Sequence, residues 1–123
     1  MKLFIVEDEE ILIKVLREKF EEEKFTVKLA IEGGSAVSLI KNFKPDLILL
    51  DIILPKKDGL QILKELKSDP ELSSIPVIVL SNLGEDDKIK TALKLGAVDY
   101  LVKTQHPINE IVEKVKEYTL ASK

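Results

Sequence analysis

Asp46-Leu47-Ile48-Leu49-Leu50-Asp51-Ile52-Ile53-Leu54-Pro55-Lys56-Lys57-Asp58-Gly59, residues 46–59, decides how the rest of the chain must be arranged. Residues 47–50 are uninterrupted apolar positions. A run this short, with no polar alternation, reads as a strand buried on both faces, as strands in a parallel sheet are. The run ends on a carboxylate, Asp51. Pro55 then biases Leu54 toward extended backbone, and Asp58-Gly59 marks a turn. Asp51 is therefore placed at the carboxyl end of a central strand, where open α/β sheets hold their ligands. A charge in that position is costly unless something pairs with it.

Upstream, Leu3-Phe4-Ile5-Val6 is a second short apolar run that ends on carboxylates, Glu7-Asp8. Residues 9–23 follow with Ile11, Leu12, Val15, Leu16 and Phe20 at helical spacing, and Asp8 is placed to cap that helix. Residues 25–29 alternate apolar and polar, as a half-buried edge strand does. Gly33-Gly34-Ser35 breaks the pattern before a helix that carries Ala36, Val37, Ile40 and Phe43, and Lys44-Pro45 ends it. Downstream of Gly59, the residues Leu60, Ile62, Leu63 and Leu66 predict a short amphipathic helix. Asp69-Pro70 and Ile75-Pro76 bracket a loop before a strand over 77–80, which ends on Ser81-Asn82. A helix over 85–95 has Ile89, Ala92 and Leu93 on one face and Gly96 to close it. A fifth strand over 98–102 ends on Lys103. Pro107 sits near the first turn of a last helix with Ile108, Ile111, Val112 and Val115 at helical spacing.

The result is five β-α units without a linker or repeat. That alternation implies a parallel sheet with helices on both faces, in one domain over residues 1–123. Residues 103–123 complete the fifth unit and are expected to leave no tail for an output domain. The composition agrees with a soluble globular chain: 45% hydrophobic and 33% charged residues in 123. No stretch has membrane-spanning length, and no signal-peptide pattern is present, so no membrane association is expected. The absence of cysteine fits a reducing cytoplasm. A net charge of −3 and a lone arginine, Arg17, argue against direct nucleic-acid binding.

Parallel strands put all their carboxyl ends on one edge, so Glu7-Asp8, Asp51, Ser81 and Lys103 can converge. Three carboxylates together repel one another unless a cation compensates, and an all-oxygen ligand set suits Mg²⁺. A lysine and a hydroxyl beside them suit a phosphoryl group. Asp51 is then a metal ligand or a nucleophile toward phosphorus.

This constellation carries a resemblance over the whole chain. It rests on Val6-Glu7-Asp8-Glu9, on residues 50–59, on Leu80-Ser81, and on Gly96-Ala97-Val98-Asp99-Tyr100-Leu101-Val102-Lys103. The separations of Asp8, Asp51, Ser81 and Lys103, at 43, 30 and 22 residues, belong to the same pattern. The chain resembles the receiver domain of two-component response regulators, close to the single-domain chemotaxis type. The resemblance implies a flavodoxin-like sheet of order 2-1-3-4-5 and a phosphoryl acceptor at Asp51. It implies Mg²⁺, with Mn²⁺ possible, held by Asp8 and Asp51, by Glu7 through water, and by the Ile53 backbone carbonyl. Ser81 and Lys103 would hold phosphoryl oxygens, and Tyr100 would be a switch aromatic that turns inward when Ser81 moves. Ile53 and Leu83 would flank the approach of a hydrolytic water and set the dephosphorylation rate. Two positions depart from the family. Leu54 stands where Met is usual, and Thr104 follows Lys103 where a cis-bonded Pro is usual. A cis bond before a non-proline costs ~2.5–4 kcal/mol, so a trans bond is expected here.

The function implied is a signalling receiver that takes a phosphoryl group from a histidine kinase or a phosphotransfer protein. It would then bind a downstream protein differently, as a monomer or a weak phosphorylation-dependent dimer. It is not an enzyme beyond Mg²⁺-dependent self-phosphorylation and slow self-dephosphorylation. Alternatives are a haloacid-dehalogenase-like Mg²⁺-dependent phosphatase, an FMN carrier, and an interaction module that works without phosphorylation. The phosphatase needs a second acid two positions after its nucleophile, where Ile53 stands. The FMN carrier needs a phosphate loop after the first strand, where Glu7-Asp8-Glu9-Glu10 would repel phosphate. The intact acceptor set argues against the third. Taken singly, Ser81 is an ordinary turn hydroxyl, Lys103 a surface lysine, and Tyr100 a half-buried strand aromatic. Asp58-Gly59 reads as turn chemistry only, His106 as a solvent-exposed loop residue, and Glu21-Glu22-Glu23 as a solvated helix end.

Overall fold

In the computed structural model, which describes residues 1–121, five strands and five helices alternate along the chain. They are β1 Lys2–Val6, α1 Glu10–Glu22, β2 Thr26–Ala30, α2 Ala36–Phe43, β3 Leu47–Leu50, α3 Gly59–Ser68, β4 Val77–Ser81, α4 Asp86–Lys94, β5 Asp99–Val102 and α5 Ile108–Ala121. All neighbouring strands are parallel, in the order β2-β1-β3-β4-β5. The expected five-stranded, doubly wound sheet and its order are both present. The end of the expected fifth unit, residues 122 and 123, lies outside the described residues.

Two-sided burial explains the apolar runs. Successive side chains of a strand point to opposite faces. Phe4, Val6, Ile48, Leu50, Val77 and Val79 therefore pack with Ile40 of α2, Ile62, Leu63 and Leu66 of α3, and Ala92 of α4. Their neighbours Leu3, Ile5, Leu47, Leu49, Ile78 and Leu80 pack on the other face with Leu16 and Phe20 of α1 and with Ile111, Val112 and Val115 of α5. Phe25 lies just outside β2, yet it is buried edge-on to Phe20, with ring centroids 5.3 Å apart.

Several local expectations need correction. Ile11 is 82% exposed rather than on the buried stripe. At 100° per residue it lies about 140° round α1 from Leu16, off the row formed by Leu12, Leu16 and Phe20. Leu93 is also exposed, one step round from the buried Ala92. Asp8 does not cap α1: the N-cap is Glu9, and its side chain makes no cap hydrogen bond. Glu7 instead accepts from the backbone N–H groups of Asp8 and Glu9, at 3.1 and 3.2 Å. Asp58 does more than turn the chain, since its Oδ1 accepts from Leu60 N at 2.9 Å and caps α3. Gly96, with φ +111°, closes α4 as expected. Every peptide bond among the described residues is trans, the one between Lys103 and Thr104 included.

Gly59 begins α3 at a point where the helix rests on the main chain after β3. Its N–H donates to the Ile52 carbonyl at 3.0 Å. A Cβ at this position would overlap the Asp51 carbonyl oxygen and the Ile52 Cα. The contacts are backbone, so no side chain can swing away. Alanine is the better helix former by about 1 kcal/mol, but overpacking of this kind costs about 1–3 kcal/mol or more. Gly59→Ala is therefore expected to destabilise the fold. A urea midpoint equal to or above wild type would show that the loop yields without cost.

Candidate functional site

The parallel ladder continues past the strand ends and carries the expected site residues with it. Asp51 N donates to the Val6 carbonyl at 3.0 Å, Glu7 N to Ala30 at 3.0 Å, and Lys103 N to Ser81 at 2.8 Å. The residues after β1, β3 and β5 are thus held as firmly as the strands. Ser81 is the last residue of β4, opposite Val102 in β5.

Lys103 is the centre of the cluster. Its ammonium lies 2.8 Å from Glu7 Oε1, 3.0 Å from Asp51 Oδ2 and 2.5 Å from Glu9 Oε2. Glu7 and Asp51 are buried, whereas Asp8 is exposed. One carboxylate oxygen from each of Glu7, Asp8 and Asp51 lies within 4.8 Å of the other two, a spacing that could hold a metal ion. These are hard oxygen donors, the set that suits Mg²⁺ or Mn²⁺. The second Asp51 oxygen accepts from Ile53 N at 3.1 Å, so the β3–α3 loop orients the carboxylate directly.

Burial, aided by the charge of Asp51, raises the Glu7 carboxyl from 4.5 to about 7, against the opposing pull of Lys103. Burial works against charge on Lys103 too, but hydrogen bonds to Glu7 and Glu9 and the charge of Asp51 outweigh it and raise its pKa. Lys103 therefore stays charged while Glu7 sits near its midpoint at neutral pH.

The other expected residues surround this centre. Ser81 is fully buried, and its Oγ accepts from Leu83 N at 3.2 Å. Tyr100 is already inside, 8% exposed, with its hydroxyl donating to the Leu83 carbonyl at 2.5 Å. Burial raises the Tyr100 phenol, opposed by the nearby Ser81 hydroxyl. Ile53 and Leu83 line one cleft of about 510 Å³ together with Leu54, Leu60 and Lys88. His106 is less exposed than expected, because its Nδ1 lies 3.0 Å from Glu110 Oε1 one helical turn on. Sequence reasoning did not single out Glu9 as a partner of Lys103. The only signal was the acidic run 7–10, and nothing in a linear run tells which carboxylate turns toward the lysine.

A model of the response regulator receiver domain matches residues 3–116. The phosphate regulon regulator PhoB of Rhizobium meliloti is 37% identical over 102 residues, 83% of this chain and 45% of that protein. The chemotaxis protein CheY of Halobacterium salinarum is 33% identical over 102 residues, 83% of each chain. The chain spans from about a quarter to about half the length of the longer curated regulators it matches. Among solved structures, the BeF3-activated receiver domain of Klebsiella pneumoniae RstA superposes with a TM-score of 0.89 at 28% identity, covering 97% of this chain and 98% of that one. The Mn(2+)-bound form of response regulator Rcp1 superposes with a TM-score of 0.78 at 26% identity, covering 98% and 88%. A parallel sheet of order 2-1-3-4-5, an edge of buried carboxylates held by one lysine, and a family match over residues 3–116 together mean that the chain belongs to the response regulator receiver domain family.

Proposed function

We propose that residues 1–123 act as one phosphorylation-switched receiver, with Asp51 as the phosphoryl acceptor. A sensor histidine kinase or a phosphotransfer protein presents a phosphohistidine at the sheet edge. An Asp51 oxygen attacks phosphorus, the P–N bond breaks with its electron pair returning to the histidine nitrogen, and an acyl phosphate forms. Water later attacks phosphorus, the Asp51 oxygen leaves, and inorganic phosphate is released. The observation that carries this reading is Lys103, whose ammonium is within hydrogen-bonding distance of both Glu7 and Asp51. A point charge so placed can neutralise a phosphoryl oxygen as it arrives.

In this reading Glu7, Asp8, Asp51 and the Ile53 backbone carbonyl hold Mg²⁺, or Mn²⁺ in its place. The ion supplies charge neutralisation for the carboxylates and the incoming phosphoryl oxygens. Lys103 and the Ser81 hydroxyl hold phosphoryl oxygens. Tyr100 reports the change to the surface formed by α4, β5 and α5, where a downstream protein binds. The chain works in the cytoplasm, as a monomer or a weak phosphorylation-dependent dimer.

Incubation with acetyl phosphate and Mg²⁺ is expected to add one phosphoryl group by intact mass, and Asp51→Asn is expected to add none. A full mass shift in that variant would sink the assignment.

Metal binding should depend on pH through Glu7. The cation needs the carboxylate, so it competes with a proton held with a pKa of about 7. Below that pH, affinity is expected to weaken by up to about tenfold per unit, one proton displaced per ion. Calorimetric titration with Mg²⁺ at several pH values tests this, and Glu7→Gln should flatten the profile. Stability of the metal-free protein runs the other way. A carboxyl whose pKa rises on folding, here from 4.5 to about 7, favours the fold below the lower value and loses that contribution as pH climbs through the upper one.

The acyl phosphate should also be slow to hydrolyse. Ile53 and Leu83 offer no group to orient a water, and both can exclude one. Ile53→Asn and Leu83→Glu, singly and together, are expected to shorten the phosphoryl half-life. Unchanged decay in folded variants would mean that water access at these positions is not limiting.

A further inference from the structure

We propose that Glu9 is a positioning residue whose carboxylate occupies, on Lys103, the place that a phosphoryl oxygen takes when Asp51 is phosphorylated. The proposal rests on the receiver reading above and adds a residue to it.

An ammonium has three protons to donate. Glu7, Glu9 and Asp51 lie 2.8, 2.5 and 3.0 Å from the Lys103 nitrogen, so its donors are fully taken. To hold a phosphoryl oxygen, Lys103 must let one partner go. The side chains of Glu7 and Asp51 are 2% and 6% exposed. Neither is open enough for water to take the place of the ammonium, so the partner on the solvent side is the easier one to give up. The Glu9 side chain is 52% exposed, so water can replace the lysine at little cost. Among the described residues, Lys103 is the one partner of the Glu9 carboxylate. Glu9 stands at the N-cap of α1 and its side chain makes no cap hydrogen bond. Glu9 is therefore the partner that yields.

Two consequences follow from this placement. In the unphosphorylated protein, Glu9 keeps the Lys103 ammonium fully paired at the edge of the site. During phosphorylation it competes with the incoming oxygen and so weakens retention of the phosphoryl group. Its neighbour Glu10 carries the same charge in the first turn of α1 but is not among the partners of Lys103. Glu10 thus serves as a control for the general field.

The experiment measures beryllofluoride binding by calorimetry or fluorine NMR, at magnesium concentrations that saturate each variant. Glu9→Gln is expected to tighten binding by roughly twofold to fivefold, the range set by a partly exposed ion pair. Glu10→Gln should give a smaller change that disappears in about 1 M salt, where exposed charges are screened within about 3 Å, while the Glu9→Gln gain persists. In metal-free protein, the Lys103 ammonium nitrogen resonance should move in Glu9→Gln and stay in Glu10→Gln. Equal changes in the two variants would reduce Glu9 to its charge and overturn the proposal. Unchanged or weaker binding in Glu9→Gln would overturn it as well. Wild-type protein that binds no beryllofluoride at Asp51 would instead overturn the receiver reading, and this inference with it.

Discussion

One ammonium among too many carboxylates sets the terms for this molecule. The parallel sheet delivers Glu7, Asp8 and Asp51 to one edge, and Glu9 joins them from the start of α1. Two such charges about 4 Å apart repel by roughly 4 kcal/mol at an effective dielectric near 20. Lys103 answers only one unit of that charge. The rest appears in the titration of the site: Glu7 is pushed up to about 7 because a buried carboxylate beside Asp51 is hard to keep ionised. The same surplus raises the pKa of Lys103, despite its burial. Raised values on an acid and on the base it contacts are one phenomenon. The site carries more negative charge than its own residues neutralise, and a divalent cation is the simplest remedy.

That charge could not be held without a rigid frame. The backbone bonds that follow the strands, Asp51 to Val6, Glu7 to Ala30 and Lys103 to Ser81, fix three of the charged residues before any side chain interacts. The β3–α3 loop closes the frame from the other direction. It returns so tightly that α3 begins on the main chain of Asp51 and Ile52, where only glycine fits. Gly33 marks a second close approach, since a Cβ there would crowd Lys57 of the same loop. The loop that presents Asp51 is therefore held on two sides by backbone contact.

How much of this was legible follows from the kind of information each feature needs. The sheet was legible because burial on both faces leaves apolar runs such as 47–50, and a strand cannot hide that pattern. The positions of Asp51, Ser81 and Lys103 followed from strand ends alone, since parallel strands must bring those ends together. Helix faces were less legible. Ile11 and Leu93 continue apolar stripes in the sequence but lie past the arc that the sheet covers. The width of that arc depends on how each helix sits on the sheet, which is a tertiary property. The contacts of Glu9 and His106 were not foreseen for a related reason. Their partners, Lys103 and Glu110, are chosen by side-chain direction rather than by spacing. The caps were misassigned by one residue at α1 and under-read at α3, since a carboxylate before a helix can serve a site or a cap equally well in sequence.

Leu83 links two of the expected site residues, Ser81 and Tyr100. Its N–H is taken by the Ser81 hydroxyl and its carbonyl by the Tyr100 phenol, so one residue's backbone carries both contacts. In the proposed reading, the Ser81 hydroxyl turns to a phosphoryl oxygen and changes its hold on Leu83 N–H. The carbonyl of the same residue would carry that change to Tyr100, a β5 residue that shares a core cluster with Ile89 and Ala92 of α4. Tyr100 is already buried, so the ring need not travel inward for this coupling to act. In that reading, phosphorylation alters the strength of the Leu83 bonds, and with it how firmly the β4–α4 loop is pinned. The switch so proposed redistributes hydrogen bonds within a packed core. It favours one loop arrangement over another and leaves the fold itself unchanged.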